Sequence, residues 1–119
     1  MNGHKLPESE LKVMDHIWAK GESTAKETAA YMEEKYGWKK NTTYTVLKNL
    51  SEKGVLERKD PGFKVVPLVG REEVGRTEAR SLLDKFYNGS VAGLFSAFLN
   101  DNVISEKEMK ELKELLDRE

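Results

Sequence analysis

The sequence predicts a mainly α-helical chain, in which three short helices and a small β-hairpin precede a second helical segment. Two observations predict this class. Apolar residues recur at helical spacing in residues 7–53 and again in 71–116, and glycines stand where each early helix has to end. Between these segments lie two short apolar runs, separated by Asp60-Pro61-Gly62, which is typical of a hairpin turn.

The first two helices are short and end at Gly21 and Gly37. Pro7 suits the first turn of the first helix because its missing N–H is not needed there. The face of this helix is Leu11, Met14, Ile17 and Trp18. Thr24 and Glu27 form a capping box that starts the second helix. Its apolar side is Ala25, Ala29, Met32 and Tyr36.

The third helix is predicted over 41–53, with Asn41 as its N-cap and Gly54 ending it in a left-handed conformation. On a helical wheel one side is apolar in character and consists of Thr43, Val46, Leu47 and Leu50. The remaining arc carries Thr42, Tyr44, Thr45, Lys48 and Asn49. A helix that is exposed only to solvent would usually carry Glu and Lys on this arc, in pairs that are four residues apart.

This polar arc indicates contact with nucleic acid. Hydroxyls and amides bond to base edges in the major groove, so Thr42, Thr45, Tyr44 and Asn49 are predicted base readers. Lysines neutralise phosphates, and Lys39, Lys40 and Lys48 flank the arc. Residues 38–64 carry seven basic and three acidic side chains, although the net charge of the chain is −1. The alternative is a surface helix that carries these threonines by chance.

The hairpin is predicted from one strand over 55–59 and another over 63–66, with Pro67 at a strand edge or end because it has no N–H to donate. Arg58, Lys59 and Lys64 cluster near its tip and are predicted contacts to the DNA backbone. An ordinary solvated turn is the alternative. Three helices followed by a hairpin describe a winged helix-turn-helix, predicted over 1–70.

Residues 71–119 are predicted to form a separate helical unit. Helical stripes run through Val74 to Tyr87 and Val91 to Leu99, and a last helix begins with the capping box Ser105 and Glu108. A unit of this size buries too little surface to be stable alone. The sequence therefore predicts a homodimer whose interface comprises Leu82, Leu83, Phe86, Leu94, Phe95, Phe98, Leu112, Leu115 and Leu116. The alternative is a tail that folds back on its own N-terminal domain.

Several classes of function lack a signature. The sequence has no cysteine, which excludes a disulfide frame and a thiolate site. His4 and His16 have no second histidine at metal-binding spacing, and Gly70–Gly75 lacks the Gly-Lys-Ser/Thr signature of a phosphate loop. We therefore predict no enzyme activity, no metal and no cofactor. Without a membrane span or a signal peptide, a cytoplasmic location is expected.

These residues resemble the penicillinase-repressor and methicillin-resistance-repressor (BlaI/MecI) family. The likeness spans nearly the whole chain and rests on Leu6-Pro7-Glu8-Ser9-Glu10-Leu11-Lys12-Val13-Met14, Trp18, Trp38, Thr42, Thr45, Leu47, Leu50, Lys53-Gly54 and Phe86-Tyr87-Asn88-Gly89-Ser90. The resemblance implies a homodimeric bacterial repressor, with a winged helix on a palindromic operator and a helical dimerisation domain. It implies that Thr42 and Thr45 read bases, and that the regulated genes serve β-lactam-type resistance or stress.

The sequence departs from the family at three places. The resistance repressors have Gly-Arg after the wing turn, whereas Gly62 is followed here by Phe63. Those repressors are inactivated by a regulatory protease at an Asn-Phe bond of the tail, and the aligned pair here is Ala97-Phe98. Copper-responsive relatives use tail cysteines that this chain lacks. Two alternative functions stay open: a winged helix that binds protein, and a regulator gated by a small ligand near Phe95 and Phe98.

Overall fold

A computed structural model describes residues 5–118, so His4 lies outside the described residues. It confirms the mainly helical class and the arrangement of three helices with a wing. The elements in order are α1 (Glu8–Lys20), β1 (Ser23–Thr24), α2 (Ala25–Tyr36), α3 (Lys40–Glu52), β2 (Leu56–Lys59), β3 (Lys64–Pro67), α4 (Arg71–Phe86), α5 (Val91–Asn100) and α6 (Glu106–Asp117).

The wing belongs to a three-stranded antiparallel sheet of order β1-β3-β2, whereas two strands were predicted. The additional strand pairs Ser23 with Val65 and is only two residues long, which is too short to produce a recognisable alternation. Pro67 pairs with Leu56 at the end of β3, beyond the residues that β1 reaches. Its missing N–H therefore costs the ladder nothing on that side, and the predicted position of Pro67 at a strand end is confirmed.

The core lies between α1, α2, α3 and the sheet. Its fully buried large side chains include Met14, Ile17, Met32, Leu50 and Val65. The predicted apolar side of α3 is confirmed, since all four of its members are buried. The prediction was wrong for two residues of the apolar faces of α1 and α2. Leu11 and Tyr36 are 38% and 37% exposed, because each lies at the margin of its helix face.

Helix capping was predicted correctly for two helices and incorrectly for one. The capping boxes at Thr24 and Ser105 are both present. Asn41 is not the N-cap of α3: the helix starts at Lys40, and Lys39, two residues before Asn41, takes the N-cap position without a side-chain hydrogen bond. The Lys39 carbonyl instead accepts from the Thr42 and Thr43 backbone N–H groups at 3.0 and 3.4 Å.

The chain divides into two compact units, the first ending at Glu78 and the second beginning at Ala79. The predicted boundary at 70/71 is the start of α4, whereas the compact units divide within that helix. The first turns of α4 belong to the first unit because Arg71 binds Asp15 at 2.6 Å and Val74 is buried. Trp18 adds to this attachment, since its Nε1 donates to the Val69 carbonyl at 2.8 Å.

The second unit differs in burial from the first. No residue between 79 and 118 is buried, although this part contains the apolar stripes of α5 and α6. Within residues 5–118, no helix has both the length and the apolar character that a membrane crossing requires.

Candidate nucleic-acid interface

The outer face of α3 carries the five polar side chains that the sequence placed there. Thr42, Tyr44, Thr45, Lys48 and Asn49 are all exposed. Residues three or four apart lie side by side on a helix, so these side chains form one continuous surface. This surface offers hydroxyl, phenol and amide groups to a partner, with no carboxylate among them.

The inner face of α3 fixes the orientation of that surface. Four residues anchor the helix in the core: Thr43, Val46, Leu47 and Leu50. At its C-terminal end, Lys53 Nζ lies 2.6 Å from Glu10 Oε1, a carboxylate of α1 that is almost completely buried. This ion pair joins the end of α3 to the start of α1, and sequence reasoning missed it because the two residues are 43 positions apart.

The predicted phosphate-binding cations divide into two groups. Among residues 5–118, Lys39, Lys40, Lys48 and Lys59 form no ion pair with a carboxylate. Arg58 and Lys64 instead have acidic neighbours. Lysines without an internal partner can approach phosphates without first losing an existing ion pair.

The tip of the wing is organised by Phe63. The Arg58 guanidinium lies over its ring, 3.6 Å from the centroid, and also approaches Asp60 Oδ1 at 3.4 Å. Phe63 has a φ of 50°, an uncommon value for a residue with a side chain, and its carbonyl accepts from the Ala25 N–H at 3.0 Å. The aromatic residue at this position therefore holds Arg58 and also connects the wing to the start of α2.

Lys64 lies in the central strand, with Nζ 3.8 Å from Glu22 Oε2. Both side chains are more than half exposed, so this pair contributes little and can be exchanged for another partner. The sequence suggested three equivalent wing cations. The structure shows one without a carboxylate partner among the described residues, Lys59, and two that are paired.

A shallow cleft of about 170 Å³ connects the helix surface to the wing. It is bordered by both elements: Tyr44, Leu47, Lys48, Ser51, Glu52, Leu56, Arg58, Phe63 and Val65. Two predicted base or backbone contacts, Tyr44 and Lys48, thus lie beside Arg58 in one concave surface. Helix pattern and hairpin pattern each identify their own residues, but neither predicts that they share this cleft.

The histidine and carboxylate side chains were also considered as metal ligands. In the described part of the chain, no group of three or more His, Asp and Glu side chains is positioned to hold a metal ion. His16 is half-buried, and its Nε2 lies 3.3 Å from Ser23 Oγ. His16 is a residue of α1, and its contacts are with Ser23 of β1 and Tyr31 of α2.

A helix-turn-helix with an exposed polar third helix, and a hairpin wing beside it, defines a winged-helix protein of the DNA-binding class. Comparison with known proteins is consistent with this class. The chain is similar to the solution structure of the DNA-binding domain of the repressor BlaI, with a TM-score of 0.54 and 26% identity. That alignment covers 57% of this chain and 85% of the solved chain.

The family is shown by the whole-chain comparison. The model of the family described as penicillinase repressor matches residues 6–118. A penicillinase repressor from Bacillus licheniformis is 27% identical over 115 residues, which is 95% of this chain and 90% of the relative. The methicillin resistance regulatory protein MecI of Staphylococcus aureus strain N315 is 24% identical over 117 residues, 97% of this chain and 95% of the relative. The chain belongs to the penicillinase-repressor family, a family of transcriptional repressors.

Proposed function

We propose that the chain is a homodimeric transcriptional repressor that binds a palindromic DNA operator, with α3 in the major groove and the wing, residues 58–64, on the adjacent backbone. One observation carries the proposal: α3 exposes a continuous hydroxyl and amide surface while its opposite face is anchored in the core. Side chains on a helix fixed in this way can be held in register with base edges.

Within this proposal the exposed residues of α3 divide by chemistry. Thr42, Thr45, Tyr44 and Asn49 read bases, because each carries a group that can donate or accept a hydrogen bond. Lys39, Lys40 and Lys48 hold phosphates beside them. A bidentate contact discriminates against the wrong base by about 1–3 kcal/mol, and a single hydroxyl contact discriminates by less. Specificity therefore requires both half-sites of the operator.

The wing supplies the remaining backbone contacts. Lys59 meets phosphate directly, whereas Arg58 and Lys64 exchange their exposed carboxylate partners for phosphate. Such exposed pairs are worth at most about 1 kcal/mol, which is less than a charge-assisted contact to phosphate provides. Phe63 positions Arg58 for this exchange by stacking against its guanidinium.

The second unit supports the proposed dimer. The nine residues predicted at the interface are all at least partly exposed, and Leu116 and Phe86 are 75% and 73% exposed. An apolar cavity of about 460 Å³ lies between α5 and α6, lined by residues that include Phe95, Leu112 and Leu115. An apolar surface of this extent needs a cover, and a second copy of the tail provides one with two-fold symmetry. Two helices of a dimer would then meet the operator about 34 Å apart, or a multiple of that distance.

The regulatory protease expected from the family resemblance would act inside α5. Ala97 and Phe98 both lie within this helix, where the backbone is hydrogen-bonded. Cleavage between them requires local opening of α5, because a protease binds its substrate as an extended strand. Cleavage by the proposed protease therefore depends on such an opening of α5.

DNA binding is tested by fluorescence anisotropy with a duplex selected from a random pool. Lys48→Ala is expected to weaken binding to every sequence and to reduce the slope of log Kobs against log salt by about 2, since each of the two subunits loses one phosphate contact. Thr45→Val removes a hydroxyl at constant shape, and we expect it to lower the preference for the selected duplex while the salt slope stays unchanged. Lys110→Ala, an equal change of charge on α6, serves as the control. Equal behaviour of the Lys48 and Thr45 variants would contradict the assignment of α3.

Dimerisation is tested separately by sedimentation. The wild-type chain is expected at twice the mass of one chain, and Leu116→Glu is expected to shift the equilibrium towards monomer because it places a charge in an apolar interface. A wild-type chain that stays monomeric at tens of micromolar would refute the dimer. Stabilisation of the wild-type tail by a small apolar compound in a thermal-shift screen would favour the ligand-gated alternative around Phe95 and Phe98.

A further inference from the structure

A groove of about 370 Å³ runs between α1 and α2 on a part of the molecule that the proposed DNA contacts do not use. None of its lining residues belongs to α3 or to the wing. They are Lys12, Asp15, His16, Ala19, Lys20, Tyr31, Lys35 and Tyr36. A volume of this size is in the range of small-molecule sites.

The groove has an excess of positive charge. Three lysines line it, and the one carboxylate in the lining, Asp15, is bound to Arg71 at 2.6 Å. Lys12 has Glu8 as a partner at 3.3 Å, but Lys20 and Lys35 form no ion pair with a carboxylate among residues 5–118. The charges therefore favour an anion.

The walls of the groove are aromatic. The rings of His16 and Tyr31 stack with their centroids 4.4 Å apart, and Tyr31 and Tyr36 are each 37% exposed. Lys35 Nζ lies 3.2 Å from the Tyr31 hydroxyl and about equally far, 5.6 and 5.5 Å, from the two tyrosine rings. An ammonium group thus lies beside two flat, half-exposed rings, an arrangement that offers a charge and an apolar surface to the same ligand.

We propose that this groove binds a small aromatic acid, a single flat ring that carries a carboxylate or a phosphate. The acidic group meets the ammonium groups of Lys20 and Lys35, and the ring lies against Tyr31 and Tyr36. A phosphate without a ring would use only the charges, and a ring without a charge would use only the tyrosines. The two halves of the site therefore have separate requirements that can be measured.

The site is tested by calorimetric titration of the full chain with benzoate, phenyl phosphate, inorganic phosphate and benzyl alcohol. Benzoate has nine heavy atoms and phenyl phosphate has eleven, and at the ligand efficiency that is usual for drug-sized ligands each would bind with a Kd of about 10 mM or lower. We expect at least one of the two aromatic acids to bind, once per chain and about tenfold more tightly than inorganic phosphate or benzyl alcohol. The acid that binds identifies the acidic group.

Variants locate the binding. Lys20→Gln combined with Lys35→Gln is expected to weaken the aromatic acid about tenfold, because charge-assisted hydrogen bonds are lost. Lys26→Gln, the same type of substitution at an exposed position of α2 outside the groove, removes one charge and is expected to leave the affinity unchanged. In two-dimensional NMR spectra the acid should shift the backbone signals of His16 and Tyr31.

Three results would overturn the proposal: no binding of either aromatic acid near 10 mM, equal affinity for the acids and inorganic phosphate, or equal affinity of the double-lysine variant and wild type. The site does not depend on DNA binding. A failure here leaves the function of α3 untouched, and a failure to bind DNA leaves this groove as a ligand site.

Discussion

Replacing Lys53, the C-cap residue of α3, by alanine should destabilise the winged-helix unit more than the same replacement of Lys40 or Lys48 within the helix. Lys53 Nζ lies 2.6 Å from Glu10 Oε1, and the Glu10 side chain is only 7% exposed while that of Lys53 is 40% exposed. Removing the ammonium leaves a carboxylate buried without its charge partner. Breaking a fully buried ion pair costs about 3–5 kcal/mol, but water reaches the exposed side of this pair, so we expect about 1–3 kcal/mol.

Urea unfolding followed by tryptophan fluorescence measures this cost. Trp18 and Trp38 both lie in the first unit and pack against its core, so their signal reports on that unit. With a urea dependence of about 1–3 kcal/mol per molar, the midpoint should fall by roughly 1 M at constant protein concentration. Lys48→Ala is the matched control, because Lys48 is exposed on the same helix and we expect a change within about 0.5 kcal/mol.

A second substitution separates loss of the ion pair from loss of the lysine itself. Glu10→Met in the Lys53→Ala background removes the unpaired charge and keeps a side chain of similar length in the core. Stability is expected to recover most of what was lost, since a buried charge without a partner is the main penalty. Equal stability of the Lys53 and Lys48 variants, or no recovery with Glu10→Met, would refute this account of how α3 is held.

Two further predictions concern buried polar groups. Thr43 Oγ1 is buried and has no hydrogen-bond partner within residues 5–118, whereas Thr28 Oγ1 bonds to Ser23 Oγ at 3.0 Å and the Thr24 carbonyl at 2.9 Å. Thr43→Val should be neutral or stabilising and Thr28→Val should cost about 1 kcal/mol in the same urea assay, so a larger loss for Thr43→Val would contradict the assignment. Burial lowers the pKa of His16, with a further lowering from Lys20 and an opposing effect from Glu27. Because the unfolded chain then binds the proton more tightly, the free energy of unfolding should fall as pH falls from 7.5 through 6.5 to 5.5. His16→Gln should flatten this dependence. An equal slope of the free energy of unfolding against pH in both proteins would show that His16 is not responsible.

The polar and apolar faces of α3 could be predicted from the sequence. Thr43, Val46, Leu47 and Leu50 are buried and the alternate arc is exposed because helix geometry fixes which residues share a side. The N-cap of the same helix was placed two residues too late, at Asn41 and not at Lys39, since asparagine is by itself the better capping residue. The backbone carbonyl of Lys39 already accepts the first N–H groups of the helix, and that contact depends on where the preceding turn leads.

The roles of the charged side chains were less predictable. Arg58, Lys59 and Lys64 are similar in sequence, yet Arg58 stacks on Phe63, Lys64 meets Glu22, and Lys59 has no carboxylate partner within residues 5–118. Glu22 directly precedes β1, and its side chain reaches Lys64 only because β1 pairs with β3. A two-residue strand gives no periodic signal, so neither this pairing nor its effect on the cation could be predicted.

The sequence alone determined the helices, the wing and the exposed surface of α3, because these follow from local periodicity, turn chemistry and capping. The tertiary structure decided which distant residues meet: Lys53 with Glu10, Arg71 with Asp15, and the groove between α1 and α2. Contacts of this kind depend on how whole elements pack, and packing directions are set by many side chains at once. The pattern of residues in one segment of the chain therefore does not predict these contacts.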